Sequence, residues 1–162
     1  MGEDPHTADQ FLRHTVATLA YRGAKVMPGV NAHFSEFLVG ATSRTPGEIL
    51  AHIGDLLDWA LSIIRGQQAW HDSSPQSWEK DTARFFEALR RLDDALASHP
   101  PPEGIATRVF QGPVADALTH VGQIAMLRRL AGTPVKGENY FKAEIVTGRV
   151  GPEQSVKRVE FE

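Results

Sequence analysis

Asp116, His120 and Gln123 form a polar stripe in an otherwise apolar segment, VADALTHVGQIAMLRRLAG. At about 100° per residue, Val114, Ala117, Leu118, Val121, Ile124 and Ala125 share one helix face, and Leu127, Leu130 and Ala131 extend it. Asp116 and His120 fall inside that arc, where a core helix ordinarily carries Leu or Ala. Helix residues four apart are surface neighbours. A carboxylate and an imidazole at this spacing can therefore supply two ligands to one metal ion. An earlier segment, TPGEILAHIGDLLDWALSII, carries His52 in its apolar face. His52, Asp116 and His120 make a candidate site of two imidazoles and one carboxylate, contributed by two helices of one core.

Each of these residues also has a plainer role. A histidine on a core face is more often hydrogen-bonded than metal-bound. A buried carboxylate needs a partner, because an isolated buried charge is very costly. With a helix start at Pro113, Asp116 would meet free N–H groups and the helix dipole; it could also pair with His120. Gln123 could hydrogen-bond the outer nitrogen of a ligand imidazole or a backbone carbonyl. Asp55, three residues after His52, is a candidate substitute ligand or outer partner, or else a solvated helix acid. His6, His14, His33, His71 and His99 lie in terminal, exposed or loop contexts and read as surface histidines, with the His33 segment a candidate cover for the site.

Other chemistries do not fit. A carboxylate-bridged di-iron bundle needs paired Glu-x-x-His motifs, and neither these nor His-Glu-x-x-His are present. No nucleophile elbow, phosphate loop or dinucleotide fingerprint appears. The chain has no cysteine, which excludes disulfides, thiolate metal sites and cysteine nucleophiles.

Four helices and a tail must position the candidate ligands. The first spans about residues 7–27, where Leu12, Val16, Leu19, Ala20, Gly23 and Val26 keep a helical period before Pro28–Gly29. VNAHFSEFLVGATSR follows, too long for a simple bundle connection and expected to cover something. The second helix, about 46–66, has Thr45 as N-cap, Pro46 at its first position and Glu48 completing a capping box. The third, about 76–98, sets Trp78, Thr82, Phe85, Leu89, Leu92 and Leu96 along one seam. The fourth, about 113–131, starts near Pro113 and stops at Gly132–Thr133–Pro134. The tail, 133–162, is expected to rest on the bundle through Phe141, Ile145 and Val150. No stretch reads as a sheet. The fold class is all-α, a single four-helix-bundle domain over 1–162.

Bulk properties bound the function. The 162 residues are 41% hydrophobic with net charge −3, which suits one domain with a sizeable core. No run of Lys or Arg would steer nucleic acid or an anionic membrane; Arg90–Arg91 and Arg128–Arg129 read as isolated pairs on amphipathic helices. No apolar run reaches the roughly 20 residues of a membrane span, and the polar start MGEDPHTADQF is unlike a signal peptide. A cytoplasmic protein that binds neither nucleic acid nor membrane is expected.

TPGEILAHIGDLLDWA and ADALTHVGQIAMLRRLAGTPV, with the tail ENYFKAEIVTGRVGPEQ, resemble the DinB/YfiT-like superfamily of metal-dependent hydrolases, over roughly Phe11 to Gln154. The resemblance implies a bundle in up-down-down-up order, often dimeric, with the long connection near 98–112 suiting that order. It implies a triad with one histidine from the second helix and two, four apart, from the late helix. His52 and His120 match two positions; Asp116 replaces the third histidine. A site of two histidines and one carboxylate can hold zinc, nickel, manganese or iron, yet the replacement also permits loss of the metal. The resemblance implies a hydrolase or thiol S-transferase acting on a small molecule, a thiol among the candidates, and a homodimer, to which the third-helix aromatics would contribute. The alternative is a non-catalytic dimeric bundle that binds a small ligand and has lost the metal. Glu138, Asn139 and Tyr140 could reach the pocket mouth or serve as a tail anchor. The sequence shows no general base.

Overall fold

The structure, a computed structural model, describes residues 5–162, with side chains from residue 8 onward; the His6 side chain lies outside the described residues. Helix α1 spans Pro5–Val26, α2 Pro46–Ile64 and α3 Trp78–Ser98. A short helix, α4, covers Ile105–Val109 and runs through a π-helical turn, Phe110–Val114, into α5, Ala115–Leu130. Four of these helices, α1, α2, α3 and α5, pack together as the bundle.

The local signals of the second helix act as read. Thr45 Oγ1 accepts from the Glu48 N–H at 3.2 Å, and the Glu48 carboxylate accepts from the Thr45 N–H at 2.7 Å. Such a cap is worth about 1 kcal/mol and fixes where α2 begins. The apolar seams then close on one another: Leu12, Val16 and Leu19 of α1, Ile53 and Leu57 of α2, Phe85 and Leu89 of α3, and Ala117 and Ile124 of α5 are buried.

Helix directions follow from named contacts. Asp55 and Asp58 of α2 meet Arg84 of α3, and Asp58 also approaches Arg91, so α2 and α3 run parallel. Arg13 of α1 pairs with Asp93 late in α3, and Trp78 at the start of α3 donates to the Met27 carbonyl just past α1. Those two are antiparallel. Arg128 at the end of α5 donates to the Val26 carbonyl at the end of α1, so α1 and α5 run parallel. The order is up-down-down-up.

This order moves the crossover. Parallel neighbours need a connection as long as the helix, about 28 Å for the 19 residues of α2. Residues 65–77, a turn at Arg65–Gly66 followed by irregular chain, supply it, whereas the 98–112 stretch expected in that role is largely helical from Ile105 onward. The fourth helical run thus begins earlier than Pro113, because Pro113 sits in a π turn that tolerates its missing N–H and ring.

The tail lies on the bundle. Val150 is buried and Ile145 partly so, but Phe141 is 96% exposed and contributes nothing to that contact. Glu138 is buried: it accepts from the Tyr21 hydroxyl and from Lys25 Nζ, the latter at 2.7 Å. Arg128 is also buried; it donates to carbonyls of Val26, Gly29 and Thr133 and ties α1, α5 and the tail start together. The segment after α1 covers the α2 start, with Phe34 buried edge-to-face against Trp78 at 5.2 Å. Among the described residues no helix is long and apolar enough to cross a membrane.

Candidate metal centre

The ligands come from two facing stripes. Along α5, the buried seam Ala117, Val121, Ile124 runs beside Asp116, His120 and Gln123. That parallel stripe borders α2, one of the two helices α5 packs on. Along α2, His52, Leu56 and Trp59 form one row at helical spacing. The two rows bring His52, Asp116 and His120 together, with one donor atom of each within 4.8 Å of the others. His120 Nε2 lies 3.4 Å from Asp116 Oδ1, and His52 Nε2 lies 3.8 Å from Asp116 Oδ2. The imidazole rings are 4.8 Å apart at 89°.

These donors fit a metal ion. Bonds of about 2.0–2.1 Å in a tetrahedral arrangement place ligand atoms roughly 3.4 Å apart. The Asp116–His120 separation already matches; the other donors, within 4.8 Å, must close by up to about 1.4 Å to reach that spacing. Gln123 takes the role of outer partner: its Oε1 faces His120 Nδ1 at 2.8 Å. An amide oxygen only accepts, so with Gln123 in this orientation Nδ1 carries a hydrogen and Nε2 is the ring atom turned toward Asp116. Burial, then His120 and Arg44, hold His52 below the ordinary imidazole value, with Asp116 and Asp55 opposing weakly. A neutral imidazole is the ligating form.

Asp116 departs from the buried position inferred on the wheel. Its side chain is 48% exposed, against 20% for His52 and 13% for His120. It stands at the rim of the bundle, on the edge of the seam. Nor is it a helix-start acid, since helical backbone precedes it from Ile105.

Asp55 points away from the centre. Its carboxylate accepts from the Ser73 N–H at 2.9 Å, Ser73 Oγ at 2.6 Å and Arg84 at 2.7 Å. Burial disfavours its charge, but these hydrogen bonds prevail and keep it below the usual carboxylate range. Gly54 lets the guanidinium lie flat on α2, where a Cβ would meet it at 2.8 Å. Glu138, Asn139 and Tyr140 anchor the tail: Glu138 is held by Tyr21 and Lys25, the Asn139 N–H donates to Val159, and Tyr140 stacks under Arg22 at 3.8 Å. None of these contacts is with a metal-group residue. His14, His33, His71 and His99 are exposed.

Sequence reading missed what covers the centre. The crossover lays Trp70 on His52 at 5.7 Å and on Trp59 at 5.7 Å. With Leu56, Gln68 and Asp116 these residues line a cleft of about 600 Å³. On the other side of His52 a smaller recess of about 270 Å³ includes Arg44, Glu48 and Ser73. A tryptophan in the polar run GQQAWHDSSPQS was the available signal.

The fold and site define an up-down-down-up helical bundle whose His52, Asp116 and His120 could hold a metal ion. Comparison with family models, with curated proteins and with solved structures gives no match.

Proposed function

We propose that this protein is a DinB/YfiT-like metal-dependent enzyme, a hydrolase or thiol S-transferase that acts on a small molecule at a mononuclear His52/Asp116/His120 centre. One observation carries the reading. The Gln123 contact at 2.8 Å turns Nε2 of His120 onto a carboxylate oxygen 3.4 Å away. His52 Nε2 faces the same carboxylate at 3.8 Å, so donors from two helices converge on one point, more than a simple His120–Asp116 ion pair requires. The sequence resemblance, with its His120-Val-Gly-Gln-Ile motif, supports the same reading.

A bound zinc, nickel, manganese or iron ion supplies Lewis acidity suited to hydrolysis or to thiol transfer. The chain's own part is to bind and orient. His52, Asp116 and His120 hold the ion on one side, Gln123 fixes the His120 ring, and Trp70 shields His52 from water. The proposal includes a homodimer. The third-helix aromatics cannot form its interface, because Trp78, Phe85 and Phe86 are buried. Met126 and Leu130, four residues apart on α5 and 57% and 55% exposed, are its contact surface in this proposal.

Metal analysis by plasma mass spectrometry on the untagged protein tests the centre. About one equivalent of a divalent metal is expected, lost in both His52→Ala and His120→Ala while each variant keeps its helical circular dichroism. No metal after reloading would overturn the proposal. A second reading, a ligand-binding bundle without metal chemistry, draws on the exposure of Asp116 and on the commitment of nearby acids elsewhere: Glu48 to the cap, Asp55 to Ser73 and Arg84. Metal-loaded protein that is inactive with every ester, amide and thiol-transfer substrate would favour it.

A further inference from the structure

We infer that the Trp59–Trp70 cleft is the subsite for a flat, apolar group of the substrate, which places that group beside the metal centre. The inference rests on the metal-centre reading above.

Trp70 is 42% exposed although it is the largest apolar side chain of a polar connector. Burial does not explain its position. Its indole N–H donates to Asp72 at 3.2 Å, which turns the ring across the α2 row. There it meets His52 at 67° and Trp59 at 88°, edge-to-face in both cases. Edge-to-face pairs leave ring surface open to a third aromatic or flat group. Buried Leu56 adds apolar surface and Gln68 one polar group to the cleft lining. His52 and Asp116 line the same cleft, so a molecule lodged there has its end at the metal donors. About 600 Å³ is within the range of small-molecule sites, which are mostly apolar with a few placed polar groups. The connector is pinned for this role by Ser73, whose N–H and Oγ both reach Asp55. The geometry therefore selects a planar, hydrophobic body with a heteroatom at one end.

Two chelators that differ only in the ring test this. Benzohydroxamate and acetohydroxamate are titrated calorimetrically into zinc-loaded protein of measured zinc content. Benzohydroxamate is expected to bind at least about tenfold tighter, the scale of one well-placed ring contact. Trp70→Ala and Trp59→Ala should cut that preference below about threefold, while zinc content and acetohydroxamate affinity stay unchanged; Trp70→Phe should keep most of it. Equal binding of the two chelators by the parent, or an undiminished preference in both alanine variants, would overturn the subsite and leave the metal centre standing. Protein that takes up no zinc and binds neither chelator would overturn both.

Discussion

As a candidate ligand, His120 depends on Gln123 for its orientation. The 2.8 Å contact to Nδ1 fixes the ring plane and leaves Nε2 toward Asp116. Gln123→Leu is expected to weaken metal affinity by about 10- to 100-fold with no loss of helix content, read by competition with a chelator. An unchanged affinity would show that the ring is oriented by packing alone. Asp116 sits at the rim and caps nothing, so Asp116→His should tighten metal binding and leave thermal stability within about 0.5 kcal/mol of the parent. A large destabilisation would reveal a structural acid. His52 fixes the sign of the pH response. Its folded value is lowered by burial, His120 and Arg44, so folding disfavours its protonation. The apo protein therefore has the full His52 contribution above the unfolded value, about 6.5, and loses it as pH falls through the lower folded value. Metal loading should fall over the same acid range, because a protonated imidazole cannot ligate. A titration of bound metal that stays flat from about pH 8 to 5 would contradict histidine ligation.

At the scale of elements, the crossover decides the site's surroundings. Two parallel helices oblige the chain to travel back along α2, and residues 65–77 do so over the row that carries His52. Asp55 holds them there, at 3% exposure, through Ser73 and Arg84. Asp55→Ala leaves Arg84 with Asp58 and the Ala51 carbonyl, and leaves the connector held only through Ser62 and its Trp70 contacts. A loss of about 2–3 kcal/mol is expected, below the full cost of breaking a buried pair because Arg84 is 24% exposed. Urea unfolding measures it, and protease cleavage near Trp70 should rise in parallel. Since the Asp55 value is depressed, its contribution is present above about pH 3.9 and lost as pH falls through the folded value. Retained stability in Asp55→Ala would mean that packing, not this carboxylate, holds the connector.

The whole molecule is closed by its tail. Lys25, 6% exposed in its side chain, pairs with the fully buried carboxylate of Glu138 and with Glu160 at 3.1 Å. Burial raises the Glu138 value, but Lys25 and Tyr21 outweigh it and keep the group ionised below the usual range. Glu138→Ala leaves Lys25 with Glu160 alone and the Tyr21 hydroxyl without its acceptor, and should cost about 2–3 kcal/mol, with early proteolysis of the tail. Metal content should not change, because this anchor lies on α1. Loss of metal in that variant would reassign the residue to the centre. For the proposed homodimer, light scattering should give twice the 17.8 kDa chain mass, and Met126→Asp should give the monomer. A monomeric parent would refute that interface.

Sequence by itself determined the helices and most of the centre, because both are written in local periodicity. Thr45, Pro46 and Glu48 announce the start of α2, and the apolar seams of α1, α2 and α3 are the faces now buried. His52, Asp116 and His120 stood out because polar residues broke those seams, and the four-residue spacing already joined two of them. Only the tertiary structure decided the rest. Whether Asp116 is buried depends on how far α2 covers the edge of α5, which no wheel contains. Arg128 lies in the interior because the α1 carbonyls end beside it, and Asp55 turns to Ser73 and Arg84 because the crossover passes there. Trp70 reaches His52 only because α2 and α3 are parallel and the chain must return along α2. These are contacts between residues distant in sequence, set by packing direction rather than by helical period.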